Sequence, residues 1–211
     1  MAEASRAVRL AGSVLDCRCH VCAFFNNRDD EYDVMVPFIK EGLDAGDRAV
    51  EIIDKHQRAE RMQRLVASGI NTAAAMQSGQ LDVRTWESTH LRPGHFDQYA
   101  MIGLLEEIAT AGARRGTGVT RLWANMEWAL EDTPGVHDLV EYESRLNYIL
   151  PNYDAAAVCA YDVTRFSGSV ITDILRTHPQ VIVGGLMREN PFYVPPDEFL
   201  LELRGREAHA H

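Results

Sequence analysis

The sequence has no apolar run long enough to cross a bilayer, which takes roughly 18–20 residues. Nor does its start, MAEASRAVRLAGSVL, carry the apolar core and cleavage pattern of a secretory signal. A cytoplasmic protein with no membrane partner is expected. Positive charge is also scarce: 21 Lys and Arg stand against 31 Asp and Glu, for a net charge of −10. Phosphate backbones are bound by clustered cations. The densest basic groups here are Arg58, Arg61 and Arg64, spaced like the solvated face of a helix, and Arg114 with Arg115 at an expected helix end, where cations suit the dipole. Direct nucleic-acid binding is therefore not expected.

Glycine-rich phosphate loops are missing as well. Neither G-x-x-x-x-G-K-[ST] nor G-x-G-x-x-G occurs, and the first turn that could hold one reads FFNNRDDEY. Without a glycine-shaped cradle or a loop lysine, ATP hydrolysis is not expected. No H-E-x-x-H helix, G-x-S-x-G elbow or Ser-His-Asp order is present, so no catalytic role is expected. The four cysteines, three of them between positions 17 and 22, do not make a disulfide framework. They read as thiols, metal ligands or core residues.

What is present is a chain of 211 residues, 46% hydrophobic, enough for one core. Short β-rich runs alternate with helical patterns. Strands are predicted at His20–Phe25, Arg48–Asp54, Gly79–Trp86, Val119–Met126, Ala156–Asp162 and Gln180–Gly185. Helical periodicity follows most of them, as in Tyr32, Met35, Val36, Ile39 and Leu43 before Gly46. Loops are expected near 73–78 and 131–136, and a short edge strand with a final helix after Asn190. Several strands are apolar on both faces, which predicts an α/β fold of three layers with a mostly parallel sheet covered by helices on both sides. A flexible start (1–13), one domain (14–204) and a frayed tail (205–211) complete the expected layout; the tail histidines are not site candidates.

In such sheets ligands bind beyond the carboxyl ends of the strands. That rule selects Asn26 and Arg28 after the first strand, Trp86 after the third, Asn125, Glu127 and Trp128 after the fourth, and Tyr161 at the fifth. Glu127 sits where a related ATPase would carry its catalytic acid. With Trp123 and Trp128 beside it, the segment LWANMEWALED reads either as an apolar pocket with one orienting carboxylate or as a strand end with Trp128 in the core.

The segment CRCHVC is the second constellation. Strand alternation sends His20, Cys22 and Phe24 to one face and Cys19, Val21 and Phe25 to the other, so its four candidate ligands cannot all meet one ion. His20 with Cys22 is the pair a strand sets side by side, and Cys159 could join them if its strand is a neighbour. A structural zinc site takes four donors, mostly N or S, so Asp, Glu or Cys from neighbouring strands would have to complete it. Cysteine is also a common core residue, whereas a buried imidazole needs hydrogen-bond partners.

Six collinear segments together resemble the MEDS domain, the methanogen/methylotroph DcmR-type sensory domain, from about Val14 to about Arg204. They are HVCAFFNNRDDEYDVMVPFIKEGLDAGDRAVEIID, LDVRTWE, RLWANMEWALED, DLVEYESRLNYILP, VCAYDVTRF and THPQVIVGGLMRENPFYVPPDEFL. The family's H-x-C-x-F-F motif falls on His20, Cys22, Phe24 and Phe25, leaving Cys17 and Cys19 as additions. The resemblance implies a RecA/KaiC-like fold with a degenerate phosphate loop. It also implies sensing of hydrocarbon-derived or halogenated small molecules for transcription regulators, histidine kinases or sigma-factor regulators. Since the resemblance begins near residue 14, no DNA-binding segment is expected before it, and signalling is expected through a protein partner or a homo-oligomer.

The combined expectation is a sensory domain whose pocket uses His20, Cys22, Asn26, Arg28, Trp86, Asn125, Glu127, Trp128 and Tyr161. The first alternative is a metal- or redox-responsive module on His20, Cys22 and Cys159. The second is a scaffold that binds nucleotide without turnover.

Overall fold

The computed structural model describes residues 7–16, 18–92, 94–114, 116 and 118–209. Cys17, Arg115 and His211 lie outside the described residues. Strands β1 (Val8–Leu10) and β2 (Ser13–Leu15) form a small antiparallel hairpin, and a seven-stranded sheet is built from the rest of the chain.

The central strands β3 (Cys19–Phe25), β4 (Arg48–Ile53), β6 (Thr120–Asn125) and β7 (Ala155–Asp162) are buried almost throughout, as strands covered on both faces must be. Together with β5 (Leu81–Thr85), β8 (Gln180–Val183) and β9 (Leu186–Glu189) they run in the order β5-β4-β6-β7-β3-β8-β9. Every neighbouring pair is parallel except β8 with β9.

Helices α1 (Arg28–Asp44), α2 (Arg58–Ala67) and α3 (Thr72–Ser78) cover one face, around Met35, Ile39, Leu65 and Trp123. On the other face lie α4 (Gln98–Arg114), α5 (Leu139–Ile149) and α6 (Gly168–Thr177), packed through Met101, Leu105, Tyr142, Leu146 and Ile174. The last helix, α7 (Pro196–His209), rests on α5 and α6. The expected three-layer α/β architecture is what the chain adopts.

Several local expectations differ. Residues 8–13, placed in a flexible start, belong to the first hairpin: Ala11 and Gly12 take positive φ (47° and 77°) at its turn, and Val8 and Leu10 are buried against α1. Gly184 and Gly185, read as the end of the sixth strand, form a second tight turn (φ 59° and 73°) that returns the chain as β9. The edge strand is therefore Leu186–Glu189, ahead of the Asn190–Pro196 segment where one was expected. Residues 73–78, expected as loop, lie in α3, because the Asn71 side chain caps Ala74 N at 3.1 Å and Gly79 ends the helix in the left-handed region. Helix α7 continues through residues 205–209, expected as a frayed tail.

Candidate functional site

Alternation along β3 puts His20, Cys22 and Phe24 on the face covered by α4–α6 and Cys19, Val21 and Phe25 on the face covered by α1–α3. The β7 register sets Cys159 opposite Cys22, and Tyr161 follows two residues later on the same face. Helix α5 lies above them and lowers Glu143 and, one turn on, Asn147 toward the sheet. His178 enters from the link between α6 and β8.

These groups converge. The Oε2 atom of Glu143 is 3.1 Å from His20 Nε2, 3.3 Å from His178 Nε2 and 3.5 Å from Cys159 Sγ. Cys159 Sγ is 3.6 Å from His20 Nε2, and the two imidazole centroids are 4.0 Å apart. One donor atom from each of His20, Glu143, Cys159 and His178 lies within 4.8 Å of the others. None of the four residues is more than 3% exposed.

The surrounding hydrogen bonds fix which nitrogen faces inward. Asn147 donates its amide to Thr177 O at 2.7 Å and Ser144 O at 3.1 Å, which leaves Oδ1 to accept from His20 Nδ1 at 3.2 Å. His178 Nδ1 donates to Ile174 O at 2.9 Å. Both Nε2 atoms therefore point at the carboxylate, and His178 Nε2 meets it without a well-formed hydrogen bond. Tyr161 donates its hydroxyl to the other oxygen, Oε1, at 2.5 Å.

Burial opposes charge on Glu143, but the His178 and His20 imidazoles beside it hold its carboxyl well below the usual range. Burial lowers His20, with His178 adding to the effect. It also pushes the Cys159 thiol up to about 12, with the Glu143 carboxylate acting in the same direction. Next to the cluster, Cys22 donates its thiol to Gln180 O at 3.7 Å. Of the three expected metal ligands, His20 and Cys159 are members of the four-donor group and Cys22 flanks it.

The expected ligand pocket divides into three places. His20, Cys22 and Tyr161 surround the buried cluster. Trp86, Asn125, Glu127 and Trp128 form a packed cap at the ends of β5 and β6: Trp86 Nε1 donates to Asn125 O at 3.2 Å, and Glu127 N donates to Asn125 Oδ1 at 3.1 Å. Glu127 pairs with Arg165, and Trp128, fully buried, stacks on His90 with centroids 4.6 Å apart. Of the two readings of this segment, Trp128 takes the core one. Asn26 and Arg28 are exposed, with Arg28 reaching Glu60 at 3.5 Å.

A second buried polar group lies on the opposite face. Arg61, expected on a solvated helix face, is 1% exposed, and its guanidinium sits 3.3 Å over the Trp123 ring. It reaches Glu31 at 3.3 Å and Glu51 at 3.4 Å, while Trp123 Nε1 donates to Glu31 at 2.8 Å. Burial raises both carboxyls, and Glu51 reaches about 7. Trp123 therefore serves this face and does not flank Glu127.

Sequence reasoning missed Glu143, Asn147 and His178. The available signal was Glu143 and Asn147 spaced one turn apart beside Tyr142 and Leu146 in EYESRLNYIL, a charged residue on the stripe that packs inward.

Residues 19–179 match the family described as MEDS, the MEthanogen/methylotroph, DcmR Sensory domain. The chain is also 27% identical over 171 residues to the transcriptional repressor DcmR of Methylorubrum extorquens (strain DSM 6343 / CIP 106787 / DM4), an alignment covering 81% of this chain and 62% of the repressor. It thus spans less than two thirds of that relative's length. With the family match running unbroken across every strand of the sheet from β3 to β7, and over well more than half of the sequence, this chain belongs to the MEDS family of sensory domains.

Proposed function

We propose that the chain is a non-catalytic sensing module in transcription regulation. It takes up a small molecule of the hydrocarbon-derived or halogenated class and passes the change to a regulatory protein partner or to a second copy of itself. The observation that carries this reading is the position of Glu143. One side chain from α5 ties β3 through His20, β7 through Cys159 and Tyr161, and the segment before β8 through His178. Helix α7 packs on the same α5 and presents Leu201 to solvent. A molecule inserted beside Phe24, Tyr161 and Phe166 would press on the Tyr161 hydroxyl and displace α5, and α7 with it. Asn26 and Arg28, at the rim of the strand ends, are the polar contacts offered on the way in.

A RecA/KaiC-like ancestry with a degenerate phosphate loop is supported by the place of β3, the first parallel strand, between β7 and β8. It is supported too by the start of α1, where Asn27 caps the helix and Asp29, Asp30 and Glu31 fill the first turn. Carboxylates there repel the phosphate that a helix N-terminus otherwise attracts, which disfavours the nucleotide-scaffold alternative.

The test uses the buried indoles of Trp86, Trp123 and Trp128 as reporters. Dichloromethane titrated into the wild type should give a saturable fluorescence change and altered amide exchange in α5 and α7, both weakened in Tyr161→Phe. A linear solvent response identical in the two proteins, with exchange unchanged, overturns the ligand reading.

A further inference from the structure

We propose that His20, Glu143, Cys159 and His178 form a closed four-donor site for a divalent transition metal, with zinc the best match. This site stands independently of whether the module senses an organic ligand.

The first support is geometric. Bond lengths of about 2.0–2.1 Å to nitrogen or oxygen and about 2.3 Å to sulfur put tetrahedral neighbours ~3.3 Å apart for N and O and ~3.6 Å apart for S and N. The separations here are 3.1 and 3.3 Å from Glu143 Oε2 to the two Nε2 atoms, and 3.6 Å from Cys159 Sγ to His20 Nε2. With Glu143 Oε2 to Cys159 Sγ at 3.5 Å, four of the six donor–donor separations match the edges of a coordination tetrahedron, and all four donors, from two strands, a helix and a link, lie within 4.8 Å of one another.

The second support is the direction of the ring nitrogens. Asn147 Oδ1 and Ile174 O take the Nδ1 protons of His20 and His178, so each Nε2 faces the same carboxylate oxygen. Without an ion, a proton on His178 faces Glu143 at 3.3 Å and the Cys159 thiol faces His20 Nε2 at 3.6 Å, both long contacts. His178 Nε2 is fully buried, aimed into the cluster and without a well-formed hydrogen bond among the described residues. Protonating both rings sets two cations with centroids 4.0 Å apart in a site without water access. One metal ion satisfies both nitrogens, the carboxylate and the sulfur together.

The supporting shell is complete. Histidines that ligate metals characteristically donate their second N–H to a carbonyl or carboxylate, which sets the ring and its tautomer; both histidines do so here. Tyr161 occupies Glu143 Oε1 and leaves Oε2 as the single ligating oxygen. Cys22, turned to Gln180 O, remains outside.

The donor set selects the ion. Two imidazoles, one thiolate and one carboxylate are too soft for magnesium or calcium, which take oxygen. Zinc accepts all three donor types in tetrahedral sites. On binding, the S–H bond of Cys159 breaks, its proton leaves to solvent and sulfur bonds the metal. The resulting thiolate and the Glu143 carboxylate balance the two charges of the ion, so the filled site is neutral where a net charge would be costly. Four protein donors leave no open position for a reacting water, so the metal would be structural or regulatory.

The test is elemental analysis of wild-type protein made without an affinity tag in zinc-supplemented medium, followed by replacement with Co²⁺. About one zinc per chain is expected, with a thiolate-to-cobalt charge-transfer band and tetrahedral cobalt absorption. The band should vanish in Cys159→Ser and persist in Cys22→Ser, and His178→Gln should lower zinc affinity at least tenfold. The wild-type measurements do not depend on the variants folding. Folded wild type that carries no zinc, shows no shift of melting temperature with added zinc and gives only a solvated-cobalt spectrum overturns the proposal. So does a charge-transfer band that survives in Cys159→Ser.

Discussion

His20 and His178 enter the fold 158 positions apart, yet both aim Nε2 at one oxygen of Glu143, at 3.1 and 3.3 Å. His20 lies on β3 and His178 in the link before β8, so the carboxylate on α5 joins sheet, link and helix layer through polar atoms. Position 143 lies on the inward stripe of α5 beside Leu146, where a hydrophobic side chain is the ordinary occupant. Retaining ionisable groups instead incurs the desolvation of several polar atoms, which is the physical reason to look for function at this point.

The two oxygens of Glu143 can be separated by mutation. Tyr161→Phe removes one hydroxyl donor to a charged acceptor and should lower unfolding stability by about 1.5–3 kcal/mol. Glu143→Ala strands the two imidazoles and the thiol in the core and should cost about 3–5 kcal/mol. Urea denaturation at neutral pH checks both, and a smaller loss for Glu143→Ala than for Tyr161→Phe would contradict the central role of the carboxylate.

Glu51 predicts a pH dependence of opposite sense to the usual one for a carboxylate. Burial holds its proton up to about 7 in the folded chain, against an ordinary value of 4.5. Between those values the unfolded chain gives up a proton that the folded chain keeps, so stability falls as pH rises and levels off above about 7. Removing the titration with Glu51→Gln should gain roughly 2–3 kcal/mol more at pH 8 than at pH 5. Paired urea titrations at the two pH values measure this difference, and an equal effect at both would show that Glu51 is ionised in the folded chain at pH 5.

The strands and their facing were legible because period-two alternation in HVCAFF and the doubly apolar strands leave little choice of register. His20 was legible as a residue needing partners, but the partners themselves were not. Glu143, Asn147 and Arg61 each lie on an amphipathic helix, where a charged or amide side chain reads as the solvated face unless the opposing surface is known. That surface comes from strands far away in sequence: Cys159 and Tyr161 for Glu143, Trp123 and Glu51 for Arg61. The two hairpins were missed for a local reason. Ala11-Gly12 fell within the expected flexible start and Gly184-Gly185 at the end of the expected sixth strand, although paired positive-φ residues are also the signature of a tight return.

Gly42 is a test of close packing on the α1 face. A Cβ built there would lie 2.4 Å from Cδ of Arg121, whose guanidinium donates to Asp47 at 2.9 Å and to Phe38 O at 2.9 Å. That side chain is buried and held at both ends, so it cannot swing clear. Gly42→Ala should therefore destabilise by about 1–3 kcal/mol despite the better helix propensity of alanine. Gly103→Ala, at a half-buried position of α4 with open space at its Cβ, should be neutral or stabilising under the same denaturant assay.

His90 contributes to the acid side of the stability curve. Its ring is buried between Trp128, 4.6 Å away and stacked, and the edge of Tyr142 at 6.0 Å. Burial lowers its pKa to about 3 from an ordinary 6.5, a shift that the charge on Glu143 opposes without cancelling. Above about 6.5 neither folded nor unfolded chain carries a proton there. Between about 6.5 and 3 the unfolded chain takes one up and the folded chain refuses it, so stability declines as pH falls through that window, by about 2 kcal/mol at pH 5. His90→Phe keeps a flat ring against Trp128 and removes the titration. Its loss of stability between pH 7 and pH 5 should be smaller than the wild type's by that amount, measured by thermal or urea unfolding at both pH values. Equal acid slopes would mean that the imidazole gains a proton inside the folded core, which the stacked Trp128 and the apolar Phe96 and Tyr142 around it oppose.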